Sequence, residues 1–177
     1  MSIEIIYFVH GTTFDNANSK CSGWKQVNLN EQGKEQAKKL GEITNYKFDF
    51  LFTSDLVRAV DSANLAWPEL EKIQDKRLRE CNYGDFDGED KSLVKYEDHI
   101  NTPFPNGESL LDVQNRIEDF IAFLKQNYDN KTIGIVAHRA PQLALEVLTK
   151  NITWEEAIKN DWRKTKQWQP GWKYVVD

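Results

Sequence analysis

Three short apolar runs punctuate the chain: "IEIIYFV" (Ile3 to Val9), "FDFLFTS" (Phe48 to Ser54) and "TIGIVAH" (Thr132 to His138). Each is rich in β-branched or aromatic residues and none has a regular polar face, the pattern of strands covered on both sides. Segments of helical period alternate with them. "NEQGKEQAKKLGEI" sets Ala37, Leu40 and Ile43 at spacings of three. "SDLVRAVDSANLAW" opens on Ser54, which is expected to cap a helix. "ESLLDVQNRIEDFIAFLKQNY" carries Leu110, Val113, Ile117, Phe120 and Leu124 on one stripe, and "APQLALEVL" follows the third strand. The alternation predicts an α/β fold, a three-layer α/β/α sandwich with a mostly parallel central sheet.

From Gln74 to Pro105 the chain is irregular and acidic, with a short strand expected near "KRLRE". A connection of that length usually marks a functional loop or lid. The segment "WRKTKQWQPGWKYVVD" is rich in tryptophan and lysine, and its "WKYVV" reads as an edge strand. With no repeat, low-complexity tract or linker, residues 1–177 are expected to form a single domain.

Composition narrows the function classes. The 177 residues are 40% hydrophobic and 29% charged, with a formal net charge of −5. That balance argues against a general nucleic-acid binder, so an anionic substrate must be met by a local cluster of cations. Cys21 and Cys81 lack metal-site spacing and are expected to be reduced thiols. No run reaches membrane-spanning length and no signal pattern opens the chain, so a cytoplasmic protein without membrane contact is expected.

In an open α/β sheet, ligands bind beyond the carboxyl ends of the strands. The first strand ends at His10-Gly11-Thr12-Thr13, the second at Ser54-Asp55 shortly before Arg58, and the third at His138-Arg139. Two of the three histidines thus fall at strand ends; His99, in the irregular segment, does not. Phosphoryl transfer suits this set. A neutral imidazole is a competent nucleophile near pH 7, and a guanidinium grips phosphate oxygens bidentately. A carboxylic acid can protonate a leaving oxygen, and "RLRECNYGDFDG" offers Glu80.

Taken together these residues resemble the histidine phosphatase superfamily, with its phosphoglycerate-mutase-like fold. Val9-His10-Gly11-Thr12-Thr13 stands where the family reads Arg-His-Gly-Glu-Thr. "SGWKQVNLNEQGKEQA", "SDLVRAVDSA", "LRECNYGDFDG", "PNGESLLDVQNRI" and "IGIVAH" follow its later motifs in order. The resemblance implies that His10 accepts the phosphoryl group, that Arg58, His138, Asn16 and Gly11 bind it, and that Glu80 donates the proton. It implies neither metal nor cofactor. The expected activity is a phosphomonoester hydrolase working through phosphohistidine on a small phosphorylated metabolite. Two alternatives stand beside it: a weakened pseudoenzyme that binds a phosphorylated ligand or a protein partner, and a phosphoglycerate-type mutase.

Two departures from the family pattern bear on activity. Val9 replaces the first motif arginine and cannot donate to a phosphate; losing such a donor costs about 3–4 kcal/mol of transition-state stabilisation. Arg139 stands where the family keeps glycine, and is expected either to return a guanidinium to the phosphate site or to be a solvated helix-start residue.

Overall fold

The computed structural model describes residues 2–165 and 171–177. Strand β1 (Ile3–Val9) sorts its side chains by parity. Ile3, Ile5 and Tyr7 enter one core, with residues of the helices Leu110–Asn127 and Arg139–Lys150. Ile6 and Phe8 enter a second core, with Leu40 of the helix Glu31–Ile43 and Ala63 and Ala66 of the helix Val57–Ala66. Strand Thr132–Ala137 divides in the same way, Ile133, Ile135 and Ala137 to the first core and Val136 to the second. Burial on both faces is why these strands carry no polar alternation.

In chain order the elements are β1, α1 (Phe14–Ala17), α2 (Glu31–Ile43), β2 (Phe50–Thr53), α3 (Val57–Ala66), β3 (Lys72–Gln74), α4 (Leu110–Asn127), β4 (Thr132–Ala137), α5 (Arg139–Lys150), α6 (Trp154–Lys159) and β5 (Trp172–Val176). The sheet order is β3-β2-β4-β1-β5. All neighbours are parallel except β5, which runs antiparallel to β1. The expected three-layer α/β/α architecture is the observed one. In β4, Ala137 lies opposite Val9 and Val136 opposite Thr53. His10, Ser54 and His138 therefore leave the sheet side by side at one edge.

The expected edge strand "WKYVV" is β5, with Trp172, Tyr174 and Val176 buried and Lys173 and Val175 exposed. Residues 166–170 of the tryptophan-rich segment lie outside the described residues. Two expectations need correction. The short strand falls at Lys72–Gln74, before "KRLRE", because Asp75 accepts from the Arg77 amide and turns Lys76–Leu78 into a 3-10 helix. Ser54 does not cap α3: Leu56 holds the cap position without a side-chain bond, and the Ser54 hydroxyl goes to His138 instead. The Gln74–Pro105 stretch, expected as a functional loop or lid, carries Glu80, Tyr83, Lys91 and Val94 to the wall of one cavity. It winds through short 3-10 turns, buries Tyr83, Tyr96 and Phe104, and ties the Tyr83 and Tyr96 hydroxyls at 2.8 Å. Cys21 and Cys81 are free and buried, and no described helix is long and apolar enough to cross a membrane.

Candidate active site

The turn after β1 rests on two glycines in contact. A Cβ on Gly11 would lie 2.3 Å from the Gly33 carbonyl oxygen, so only glycine lets this turn sit against the start of α2. The turn fixes His10. Its Nδ1 lies 2.7 Å from the Gly11 carbonyl, which selects the tautomer with hydrogen on Nδ1 and leaves a lone pair on Nε2. Arg58 Nε donates to that Nε2 at 3.3 Å. The Arg58 side chain is buried and held in place, Nη1 donating to the Lys25 carbonyl at 2.9 Å and Nη2 to the Gly23 carbonyl at 2.7 Å. Burial first, and the Arg58 charge second, push the His10 pKa down to about 3. The imidazole is neutral, with its lone pair next to a cation.

Gly11 lines the same cavity, but its N–H donates to Ser62 Oγ at 3.0 Å. The phosphate contact expected of Gly11 is therefore not carried by its amide, which is committed within the protein. Ser62 lies one turn beyond Arg58 on α3 and donates back to the Arg58 carbonyl at 2.7 Å, so it links the two.

His138 is fully buried, its ring centroid 5.0 Å from that of His10. Its Nε2 is 2.6 Å from Ser54 Oγ, and its Nδ1 is buried without a hydrogen-bond partner among the described residues. Such an unmatched buried nitrogen is uncommon and calls for a functional reason. Tyr7 clamps the backbone here, donating through its hydroxyl to the His138 carbonyl at 2.7 Å and accepting from the His138 N–H at 3.0 Å. Burial, then the Arg58 charge, hold the His138 pKa well below the usual histidine range.

Glu80 is buried at the N-terminus of α5. Its Oε1 accepts from the Cys81 and Ala140 amides, both at 2.9 Å, and its Oε2 from the Arg139 amide at 3.2 Å. The helix dipole and these donors fix the carboxylate's direction. Its backbone carbonyl accepts from Trp24 Nε1 at 2.7 Å and from Arg116 Nη2 at 3.0 Å. The acid-loop glutamate is thus tied to two other motifs, through Arg116 and through the start of α5.

A cavity of about 650 Å³ opens beside these groups, with the fully buried His138 behind its lining rather than in it. His10, Arg58 and Glu80 line it, as do Asn16, Val9 and Arg139. Asn16 Oδ1 accepts from the Thr13 amide in the cap of α1, which orients the side chain. Arg139 is not turned away into solvent: its Nε donates to Asp161 at 2.7 Å and its guanidinium lies over the Tyr96 ring at 4.3 Å. Lys20, Lys91 and Lys164 also line the cavity, which gives a negatively charged protein a locally cationic site. His99 is elsewhere, stacked on Phe104 at 3.7 Å. Among the described residues, no group of three or more His, Cys, Asp or Glu side chains is placed to hold a metal ion.

Sequence reasoning brings His10, Arg58, Glu80 and His138 to one place and misses their supports. A tyrosine in a strand buried on both faces needs a buried partner for its hydroxyl, a signal that would have singled out Tyr7. Ser54 shows in the sequence only as a residue before a helix, while its partner lies across the sheet. Arg163, which reaches the cavity from after α6, and Asp161, which holds it from behind, carry no sequence signal.

The model of the histidine phosphatase superfamily (branch 1) matches residues 6–172. An uncharacterized phosphatase, PhoE, of Bacillus subtilis is 33% identical over 141 residues, covering 77% of this chain and 72% of that one. A 2,3-bisphosphoglycerate-dependent phosphoglycerate mutase of Brucella melitensis is 30% identical over 181 residues, covering 91% and 88%. Among solved structures, the alpha-ribazole phosphatase of Shigella flexneri superposes with a TM-score of 0.77 at 25% identity, covering 88% of this chain and 84% of that one. A mycobacterial glucosyl-3-phosphoglycerate phosphatase in complex with VO3 gives 0.76 at 25%, covering 87% and 85%.

Proposed function

The chain belongs to the histidine phosphatase superfamily, and from that membership we propose that it hydrolyses a small phosphomonoester through a phosphohistidine on His10. The observation that carries the proposal is the His10 Nε2 lone pair, held neutral beside Arg58 and opening on the cavity that Glu80 also lines. In the first step the Nε2 lone pair attacks phosphorus in line and the bond from phosphorus to the leaving oxygen breaks. Glu80, as the carboxylic acid, gives its proton to that oxygen. As Nε2 becomes bonded to phosphorus, the Arg58 Nε–H shifts its hydrogen bond to a phosphoryl oxygen. His138 donates to another, and Asn16 adds to the grip. In the second step water attacks phosphorus, Glu80 takes its proton, and the phosphorus–nitrogen bond breaks to release phosphate and neutral His10. All groups involved belong to the protein or to water.

The relatives favour phosphoryl chemistry and divide on the acceptor. The Brucella mutase resemblance supports return of the phosphate to the substrate, whereas the phosphatase neighbours support water. Val9 favours a third reading, a site that binds a phosphorylated ligand with little turnover. Turnover of p-nitrophenyl phosphate in EDTA by wild type and His10→Ala separates these. The proposal expects release of inorganic phosphate by wild type, loss in the variant, and an acid-labile phosphate on His10 after rapid quench. Equal rates for the two proteins, or labelling of His138 instead, would overturn it.

A further inference from the structure

The family's first arginine is absent, and Val9 offers nothing but methyl groups to the cavity it lines. Replacement has to come from another part of the fold. Of the cations around this cavity, Arg163 has the geometry for it. It sits on the 3-10 helix Trp162–Thr165, which follows α6. Its backbone N–H donates to Asp161 Oδ1 at 3.0 Å, and its Nη1 donates to the same oxygen at 2.9 Å and to Gln142 Oε1 at 3.3 Å. The Trp162 and Trp172 rings flank the guanidinium at 5.1 and 5.7 Å. One half of the fork is thus fixed, while the other nitrogen, Nη2, is buried with no hydrogen-bond partner among the described residues. A buried guanidinium N–H without an acceptor is costly, and a fork held on one side only is preorganised to grip an anion with the other.

We propose that Arg163 binds the transferring phosphoryl group through Nη2 and replaces the arginine that Val9 displaced. This rests on the phosphoryl-transfer reading of the same site and names a further residue for it. Asp161 sets the arrangement. Its carboxylate is fully buried and takes Arg139 Nε on one oxygen and Arg163 Nη1 on the other. A lone guanidinium in this wall would face Arg58 and the other cavity cations without compensation; Asp161 offsets part of that charge and fixes both arginines at once. Arg163 also acts electrostatically on His10, adding to the effects that keep the imidazole neutral. Arg139 is committed differently: Nε is on Asp161 and its plane is on Tyr96, so it braces the carboxylate that holds Arg163.

The test measures kcat/KM for p-nitrophenyl phosphate, and separately the affinity for orthovanadate, in wild type, Arg163→Ala, Arg163→Gln, Arg139→Ala and the double variant Val9→Arg/Arg163→Ala. Both Arg163 variants should lose about 10²- to 10³-fold in kcat/KM, the cost of removing one preorganised donor, with vanadate affinity falling in parallel. Val9→Arg should recover much of both losses in the Arg163→Ala background, a non-additivity expected of residues that share a partner. Arg139→Ala should lose less than either Arg163 variant. Either folded Arg163 variant within about two-fold of wild type in both readouts would overturn the assignment. A rate loss with unchanged vanadate affinity would also overturn it, since a bracing role alone predicts that pattern. Should wild type turn over no phosphomonoester, the hydrolase reading fails, while the difference in vanadate affinity still decides the role of Arg163.

Discussion

Acidification should weaken this fold through its two active-site histidines. Both are held neutral in the folded protein, His10 with a pKa of about 3 and His138 well below its usual value, chiefly by burial. In the unfolded chain each titrates near about 6.5. Between these values the unfolded state binds more protons than the native state, so stability falls as pH drops below about 6.5 and goes on falling toward the folded values. Going from about pH 7.5 to about 5.5, an unfolded histidine gains roughly 0.8 proton and a buried neutral one gains almost none, a difference of about 1.4 kcal/mol per group. His10 borders the cavity, where solvent screening trims its share, so the pair should contribute a loss of about 2 kcal/mol. Urea unfolding at the two pH values measures this directly. His138→Gln keeps an amide opposite Ser54 and removes one titrating ring, so the acid-dependent loss should shrink to about 1 kcal/mol. A wild type as stable at the lower pH as at the higher, or a His138→Gln protein with the full wild-type loss, would refute the reasoning. The kinetic corollary is that the nucleophile stays unprotonated in mild acid, so protonation of His10 contributes no acid limb near about pH 6.5.

Three other substitutions probe the site's construction. Glu80→Gln should slow hydrolysis of alkyl phosphates far more than that of p-nitrophenyl phosphate, whose leaving group barely needs a proton; equal losses on both would remove Glu80 from the acid role. Gly11→Ala drives a methyl group into the Gly33 carbonyl, and should cost roughly 1–3 kcal/mol and displace His10; an unchanged melting temperature with full activity would count against the contact. Ser54→Ala strips a buried ring nitrogen of its partner, and should cost about 1–3 kcal/mol in denaturant unfolding, with no loss expected if the hydroxyl were idle.

How far the sequence could be read depends on the range of the interaction. β1, β2 and β4 were visible as apolar runs because burial on both faces leaves a continuous signature, and α2 and α4 because one buried stripe repeats at helical spacing. β3 is expected a few residues too late, near "KRLRE": three residues at a sheet edge, two half-buried and one exposed, are too few to show any period. His10, Arg58, Glu80 and His138 were legible because strand ends and ordered motifs mark them. Their supports were not, because each depends on a contact that only the folded sheet creates. Tyr7 meets His138 across the β1–β4 pair, Ser54 meets it from β2, and Arg163 reaches the cavity from beyond α6. Arg139 is legible as a residue beside the cavity, but its Asp161 partner, twenty-two positions along the chain, carries no mark in the sequence.

The sheet order also bears on synthesis. The nucleophile follows β1, yet both strands that flank β1 come late in the chain: β4 at Thr132–Ala137 and β5 at Trp172–Val176. On the ribosome, "IEIIYFV" emerges first and waits for its neighbours with every backbone donor and acceptor unpaired. The β2–β3 pair can form earlier but cannot shelter it, since β4 must lie between. Long-range pairing of this kind is slow and leaves apolar edges exposed while it waits. The expected outcome is that a nascent chain needs a holding chaperone until β4 arrives. Ribosome stalling before Thr132 should leave the strand bound to such a chaperone or susceptible to aggregation, and stalling after Asp177 has cleared the exit tunnel should not.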